Sequence, residues 1–293
     1  MSSRVPPLLR GLLDEAGSVP PGAVSLDQAV AAHRRHRAAW YADLVGCLLV
    51  PAVDAAALGQ HLARRPDAEP DTPLPIGLVG SVPALTGALA ALSGAAPDVV
   101  AVRQIESPVA KRGEDPLPGL AGFQHLLSGR DCTGYAEIPL SWGLVSALDA
   151  LAGARAAGVP VAAKFRIGGL AAELFPTPVE LAAVICACRD RALPFKLTAG
   201  LHWAIRHTDP ETGLVHHGFL NVLIAAALAA EGGEPADLAE VLASTDPLPV
   251  IEGVRARLGT DRPLWIGFGS WSVDDALADL ATLTLLRGPT PAA

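Results

Sequence analysis

Short apolar segments alternate along the chain with longer segments whose apolar residues recur at helical spacing. Apolar runs of this length, bounded by turn residues, are typical of buried parallel strands. The predicted strands are residues 44–51, 76–79, 99–105, 135–140, 159–165, 193–197 and 264–268. The predicted helices are residues 26–40, 55–65, 82–93, 117–127, 143–157, 178–191, 218–231, 235–243, 247–258 and 273–286. Ser25, with Gln28 three residues later, predicts an N-cap and a capping box for the first helix.

Alternation of strand and helix over roughly 240 residues predicts a parallel sheet, and a closed barrel needs about this length. We therefore predict an α/β fold with a single (β/α)8-like (TIM) barrel, regular or irregular, and an N-terminal helical arm. A doubly wound open sheet is the main alternative. The expected boundaries are an arm and helix at 1–43, the barrel at 44–286 and a tail at 287–293. Seven strands are recognisable, so the eighth is expected between Gly200 and Pro263.

Composition and charge exclude several classes of protein. Hydrophobic residues make up 51% of the 293 residues, charged residues make up 18%, and the net charge is −8. A globular domain with a large core fits these values, and without a basic block a nucleic-acid surface is not expected. No apolar stretch approaches the ~18 residues of a membrane span, and the first ten residues lack the apolar core of a signal peptide. We expect a cytoplasmic protein with no nucleic-acid or membrane partner, and homo-oligomerisation stays open.

The sequence contains no motif for a cofactor or a metal. There is no Gly-x-Gly-x-x-Gly and no Walker A pattern, so nucleotide cofactors are not expected. The cysteines form no zinc-type spacing, and we interpret them as reduced packing residues. They are Cys47, Cys132, Cys186 and Cys188. We therefore predict no metal and no cofactor, and a metal bound by the histidines between residues 202 and 217 stays open as the alternative.

Two lysines, Lys164 and Lys196, each lie near the end of a predicted strand. A lysine buried in a strand is costly unless it has a role. If both side chains point inward, two neighbouring ammonium groups would lower each other's pKa, and a neutral amine could then attack a carbonyl to form a Schiff base. Two alternatives stay open: each lysine pairs with a carboxylate and supports the barrel, or it binds an anion as a fixed charge.

Other polar residues lie where predicted strands end, which is where parallel barrels bind ligands. Glu137 and His202 are candidates for the proton shuttle that such chemistry needs. Arg103 and Arg166 are expected to bind an anionic substrate, with Glu106 beside them.

Four histidines fall within sixteen residues, at His202, His207, His216 and His217. Residues 208–213 between them predict a turn or hairpin tip that returns His207 towards His216. A loop of this kind over a barrel mouth is typical of a lid. We expect His207, and Asn221 on the next helix, to contribute to substrate binding.

The last predicted strand ends in a glycine-serine turn that precedes a helix. The backbone at Gly269 and Ser270 could bind phosphate or carboxylate near the helix N-terminus. The alternative is a tight turn in which Ser272 caps the helix and the aspartates Asp274 and Asp275 complement its dipole.

The segments around the lysines and this turn resemble class I (Schiff-base) aldolases of the deoxyribose-phosphate aldolase type. Those barrels carry a Schiff-base lysine on one strand, a second lysine on the next, and a phosphate-binding glycine-serine turn after the last. The matching residues here are Lys164, Lys196 and Gly269-Ser270, whereas Phe165 replaces the family's Thr or Ser and Arg166 has no counterpart. The whole chain also resembles uncharacterised bacterial β/α-barrel proteins.

These observations lead us to expect an enzyme that acts on a small anionic carbonyl compound by lyase (aldolase-like) chemistry. Lys164 would be the Schiff-base or electrophilic lysine, Lys196 would tune its pKa, and Glu137 or His202 would move the proton. The alternatives are a non-covalent isomerase or decarboxylase that uses lysine and histidine as acid and base, and a non-catalytic barrel that binds a ligand.

Overall fold

Eight parallel strands close into a barrel in the computed structural model, which describes residues 5–22, 24–63, 73–95 and 98–288. The strands are β1 (Leu13–Glu15), β2 (Val45–Pro51), β3 (Leu74–Val79), β4 (Val100–Pro108), β5 (Thr133–Glu137), β6 (Val161–Arg166), β7 (Phe195–Thr198), β8 (His207–Thr208), β9 (Val215–His216) and β10 (Trp265–Ser270). The barrel order is β1-β10-β7-β6-β5-β4-β3-β2, and β8 and β9 form a separate antiparallel pair. The predicted TIM barrel is confirmed.

The helices follow the strands in sequence and surround the barrel. They are α1 (Leu26–Ala38), α2 (Ala55–Ala63), α3 (Val82–Ala95), α4 (Pro116–Leu127), α5 (Leu144–Ala156), α6 (Pro178–Arg189), α7 (Phe219–Ala230), α8 (Pro235–Ala243), α9 (Pro247–Arg257) and α10 (Val273–Thr282). Single turns of 3-10 helix occur at Pro7–Leu9, Ala42–Leu44, Ala52–Asp54 and Ala172–Leu174. The predicted capping box of Ser25 and Gln28 is confirmed at the start of α1. Among the described residues, no helix combines the length and the apolar character that crossing a membrane requires.

The eighth barrel strand lies near the N-terminus, so its predicted position between Gly200 and Pro263 is wrong. Leu13 of β1 pairs with Phe268 on one side and with Val45 on the other. The barrel therefore begins inside the segment 1–43 that was expected to form an arm. Of the predicted tail, residues 289–293 lie outside the described residues.

Segment 200–263 adds a further helical layer in place of a barrel strand. It holds the β8–β9 hairpin and helices α7, α8 and α9. Nearly every residue of α7 is buried, because the helix packs against α6, α8 and α9, and its Phe219 stacks on Phe268 of β10 with ring centroids 5.6 Å apart. A helix that is apolar on all sides needs such complete cover.

Residues after β1 cross the mouth formed by the carboxyl ends of the strands. Ala16 donates its N–H to the carbonyl of Ser270 at 2.7 Å, and Ser18 donates its hydroxyl to the carbonyl of Leu49 at 3.2 Å. Glu15 points the other way, outside the barrel, where its carboxylate lies 3.1 Å from His33 of α1. The N-terminal segment thus supplies a strand, a cover for the mouth and a helix fixed to the outer surface.

Candidate functional site

Lys164 and Lys196 lie side by side inside the barrel. The register of β6 and β7 pairs them directly, and their exposed fractions are only 3% and 1%. Because side chains alternate along a strand, residues paired across two strands point to the same face. Both amines therefore enter the interior at the same level.

An alternating chain of six charged side chains crosses this interior. Lys196 donates to Asp14 and, at 2.5 Å, to Oε1 of Glu106. The other oxygen of Glu106 lies 2.8 Å from Nζ of Lys164, and that amine lies 2.8 Å from Glu137. Nε of Arg166 then donates to Glu137 at 3.0 Å. We call this set the charge chain: Asp14, Lys196, Glu106, Lys164, Glu137 and Arg166.

The charge chain raises the pKa of both lysines. Burial alone would lower the pKa of Lys164, but the carboxylates of Glu106 and Glu137 outweigh it. Burial alone would also lower the pKa of Lys196, but the carboxylates of Asp14 and Glu106 raise it by more. The expectation that the lysines lower each other's pKa is wrong, because each amine lies between two carboxylates. Both are ammonium groups at neutral pH.

Glu106 and Glu137 are ionised for the complementary reason. Burial alone would raise the pKa of Glu106, but Lys164 and Lys196 lower it to about 2. Burial would also raise the pKa of Glu137, whereas Lys164 and Arg166 hold it below its ordinary value. Three positive and three negative groups thus balance one another in the interior.

Two residues that sequence analysis missed complete the network. Asp14 accepts from the backbone N–H of Cys47 at 2.7 Å and from the side-chain amide of Gln104, also at 2.7 Å. The same amide lies 3.1 Å from Glu106. Gln104 could have been found, because it lies two residues before Glu106 and strand alternation puts both on one face. Asp14 gave no such signal, since its strand has only three residues and no apolar alternation.

Two cavities adjoin the charge chain. The central cavity, about 50 Å³, lies at the barrel mouth between Glu106, Lys164, Arg166 and His202, under the segment at residues 16–20. Liquid water occupies roughly 30 Å³ per molecule, so this cavity has room for only one or two waters. The side cavity, about 500 Å³, also has Arg166 in its wall, together with Glu137.

His202 lies at the mouth, where sequence analysis expected it. Its ring centroid is 5.2 Å from that of Trp271, and its side chain lines the central cavity. Burial lowers its pKa, and the nearby rings of His216 and His207 lower it further. The imidazole is therefore neutral at neutral pH and can accept or donate a proton.

Arg103 does not reach the site. It is the extra residue of a bulge in β4, because the register passes from Val102 to Gln104, and its side chain is exposed. Its predicted role in binding an anion at the mouth is wrong, since the bulge turns it out of the alternation.

Asn221 and His207 also serve packing instead of lining either cavity. Asn221 is fully buried, accepts from the N–H of Arg206 at 2.9 Å and donates to the carbonyls of Val241 and Ser244. His207 stacks on His216 with ring centroids 5.1 Å apart. The predicted hairpin that opposes these two histidines is confirmed, but neither Asn221 nor His207 enters the mouth.

Gly269 and Ser270 line the central cavity, yet the turn they form is satisfied internally. The hydroxyl of Ser270 donates to the carbonyl of Ser272 at 2.9 Å, and the side chain of Ser272 accepts from the N–H of Asp275 at 3.1 Å. Asp274 and Asp275 occupy the first turn of α10. The tight-turn alternative therefore describes this segment, and its carboxylates oppose anion binding.

Within the described part of the chain, no group of three His, Cys, Asp or Glu side chains is arranged to hold a metal ion. Comparisons with models of protein families, with curated proteins and with solved structures found no match. The resemblance to class I aldolases therefore stays a prediction that depends on short motifs.

Proposed function

We propose that the protein is an enzyme that acts on a small anionic carbonyl compound by acid–base chemistry at Lys164, Glu137 and Arg166. The observation that supports this most directly is the position of these three groups. The amine of Lys164 and the guanidinium of Arg166 lie 2.8 Å and 3.0 Å from the carboxylate of Glu137. Arg166 lines both cavities, Lys164 lines the central cavity and Glu137 lines the side cavity. Ligand sites in parallel barrels lie at this end of the strands.

Arg166 is the group best placed to bind the anion. Its side chain is 46% exposed, and only its Nε is engaged, by Glu137. Among the described residues, its two terminal nitrogens have no hydrogen-bond partner. A guanidinium with a free pair of donors binds carboxylate or phosphate in a bidentate arrangement.

Lys164 and Glu137 supply the acid and the base. The ammonium of Lys164 donates to the carbonyl oxygen of the substrate, which favours the negative charge that develops there. Glu137 removes a proton from the adjacent carbon, and the electron pair of the broken C–H bond moves to the carbonyl oxygen. As Lys164 turns towards the substrate, Glu137 loses part of its ion pairing, and its pKa rises towards that of an effective base. His202, like Glu137, can return a proton to the substrate carbon.

A covalent, aldolase-like reaction is the second candidate. It is favoured by the fact that Lys164 lines the central cavity while Lys196 does not. The amine of Lys164 would first transfer a proton to Glu106 or Glu137. It would then add to the substrate carbonyl, and the carbonyl oxygen would leave as water to give a Schiff base. The raised pKa of Lys164 makes this first step costly, so we place the non-covalent reaction ahead of it.

Solvent exchange tests the proposed reaction. Short 2-oxo acids and sugar phosphates would be incubated with the protein in D₂O, and proton NMR would follow deuterium incorporation beside the carbonyl. We expect exchange with at least one compound, and a loss of about 100-fold or more in Glu137→Gln, since general bases contribute roughly 10²–10⁴-fold. Arg103→Gln is the matched control, because it removes an exposed cation away from the mouth and should leave the rate unchanged.

Two results would contradict the proposal: no exchange with any member of the panel, or equal exchange in Glu137→Gln and the wild type. Borohydride reduction with the active compounds, followed by peptide mass spectrometry, separates the two mechanisms. An adduct on Lys164 would support the aldolase-like candidate. Exchange without any adduct would support the non-covalent one.

A further inference from the structure

The side cavity is about ten times larger than the central cavity, at roughly 500 Å³ against 50 Å³. It lies beyond the carboxyl ends of β5 and β6, against one face of α6. Its walls are mainly apolar and include Leu140, Leu144, Leu174 and Val184. Cavities of this size with mostly apolar walls and a few polar groups are typical of small-molecule sites.

The polar side chains that line the side cavity differ in how far they are already engaged in hydrogen bonds within the protein. Glu137 and Arg166 form part of its wall and belong to the charge chain. Arg112 is exposed and donates to the carbonyl of Glu173 at 3.2 Å, and the carboxylate of Glu180 is occupied by the cap of α6. Because only Nε of Arg166 is engaged by Glu137 among the described residues, the terminal nitrogens of Arg166 remain available to an anion.

A very small substrate leaves this space unused. At roughly the 30 Å³ that a water occupies in the liquid, the side cavity has room for about 15 non-hydrogen atoms. Water held against apolar walls is displaced favourably by hydrocarbon. A ligand whose anionic head contacts Arg166 can extend its remaining atoms along these walls.

We propose that the side cavity binds the hydrocarbon or aromatic tail of the substrate, so that the substrate class is a medium-chain or arylalkyl 2-oxo acid. The choice of this class rests on the proposed function, whereas the binding of an amphipathic carboxylate does not. The carboxylate lies on Arg166, the carbonyl faces Lys164, and the tail lies between Leu140 and Leu174.

Calorimetric titration with straight-chain carboxylates from butyrate to decanoate measures ligand binding in the side cavity independently of any reaction. We expect the affinity to rise by up to about fourfold per added methylene, which corresponds to ~0.8 kcal/mol. Arg166→Met should weaken all members of the series by a similar factor, because every member has the same head group.

Two substitutions on α6 provide a matched pair. Ala183 lines the side cavity, so Ala183→Phe should fill it and abolish the dependence on chain length. Val179 lies on the same helix, is 68% exposed and does not line the cavity, so Val179→Phe should leave the dependence unchanged. Ala183→Leu, a smaller filling, should give an intermediate result, and thermal unfolding would verify that each variant is folded.

Equal affinity for butyrate and decanoate, or an unchanged chain-length series in folded Ala183→Phe and Ala183→Leu, would overturn the assignment of the side cavity. If decanoate binds as expected but no 2-oxo acid exchanges deuterium, the cavity assignment stands and the proposed reaction fails. The opposite result is also possible: pyruvate exchanges deuterium, 2-oxodecanoate is no better a substrate, and decanoate binds no more tightly than butyrate. In that case the proposed reaction stands and the assignment of the side cavity to the tail fails.

Discussion

Replacing Glu106 with glutamine perturbs the centre of the charge chain. Glu106 is 1% exposed and contacts a different lysine through each of its oxygens. Glutamine keeps the shape of the side chain and removes its charge. Two carboxylates then remain opposite three cations in the interior.

The contacts of Glu106 determine how much free energy of unfolding the substitution removes. Burial opposes its charged form, but Lys164 and Lys196 bring its pKa down from 4.5 to about 2. That difference corresponds to about 3 kcal/mol of folding free energy at neutral pH. Removing one member of a buried ion pair typically costs about 3–5 kcal/mol. We therefore expect Glu106→Gln to lower the free energy of unfolding by about 3–5 kcal/mol.

The contribution of Glu106 to the free energy of unfolding also depends on pH. Because the pKa of Glu106 is lower in the folded protein than in the unfolded chain, its stabilisation is complete above about pH 4.5 and is lost as the pH falls towards 2. Wild-type protein should lose stability over this interval. Glu106→Gln should lack that part of the acid dependence.

Urea denaturation followed by tryptophan fluorescence would measure these values. Glu173→Gln is the control, since Glu173 is exposed and has no ion pair within the described residues; it should change stability by less than about 0.5 kcal/mol. The double variant Glu106→Gln/Lys196→Met removes one charge of each sign and should cost less than the sum of the single changes. A cost below about 1 kcal/mol for Glu106→Gln, or strict additivity in the double variant, would refute the reasoning.

Two further predictions concern stability away from the charge chain. Burial lowers the pKa of His217 to about 4, and its Nδ1 lies 3.1 Å from Arg206. Because the unfolded chain binds a proton at this histidine more readily than the folded protein, the free energy of unfolding should decrease as the pH is lowered from 6.5 to 4. Urea denaturation at pH 7 and pH 5 should show a smaller difference in stability for His217→Gln than for the wild type. In α4, a Cβ at Gly119 would lie 1.9 Å from the carbonyl oxygen of Val109, whereas one at Gly122 would have nothing within 4 Å. Gly119→Ala should therefore cost about 2 kcal/mol or more, and Gly122→Ala should gain about 0.5–1 kcal/mol. Equal pH slopes, or equal effects of the two alanines, would contradict these expectations.

Much of the barrel could be predicted from sequence, because the features that indicate it are local. Seven of the strands coincide with short, mostly apolar runs, and such runs show where a chain is buried on both faces. The cap at Ser25 depends only on residues within one turn of helix. The hairpin that opposes His207 and His216 follows from the turn residues between them.

The eighth strand could not be predicted, because its neighbours hold it in place. Leu13–Glu15 is too short to show a period, and it is a strand since β2 and β10 pair with its two edges. The same holds for Arg103, whose expected position assumed regular alternation. A bulge in β4 breaks that alternation, and bulges depend on how neighbouring strands fit together.

The sequence by itself predicted a parallel α/β fold and the placement of the two lysines on consecutive strands, since these depend on strand period and order alone. Only the tertiary structure decided that the sheet closes into a barrel, that both lysines point into it, and what their charge state is. The sign of a pKa shift depends on which groups lie within a few ångströms. Here the decisive partner, Asp14, is far from Lys196 in the chain and reaches it only because the barrel closes. The two cavities have the same origin, because the space between elements is set by packing that no local pattern records.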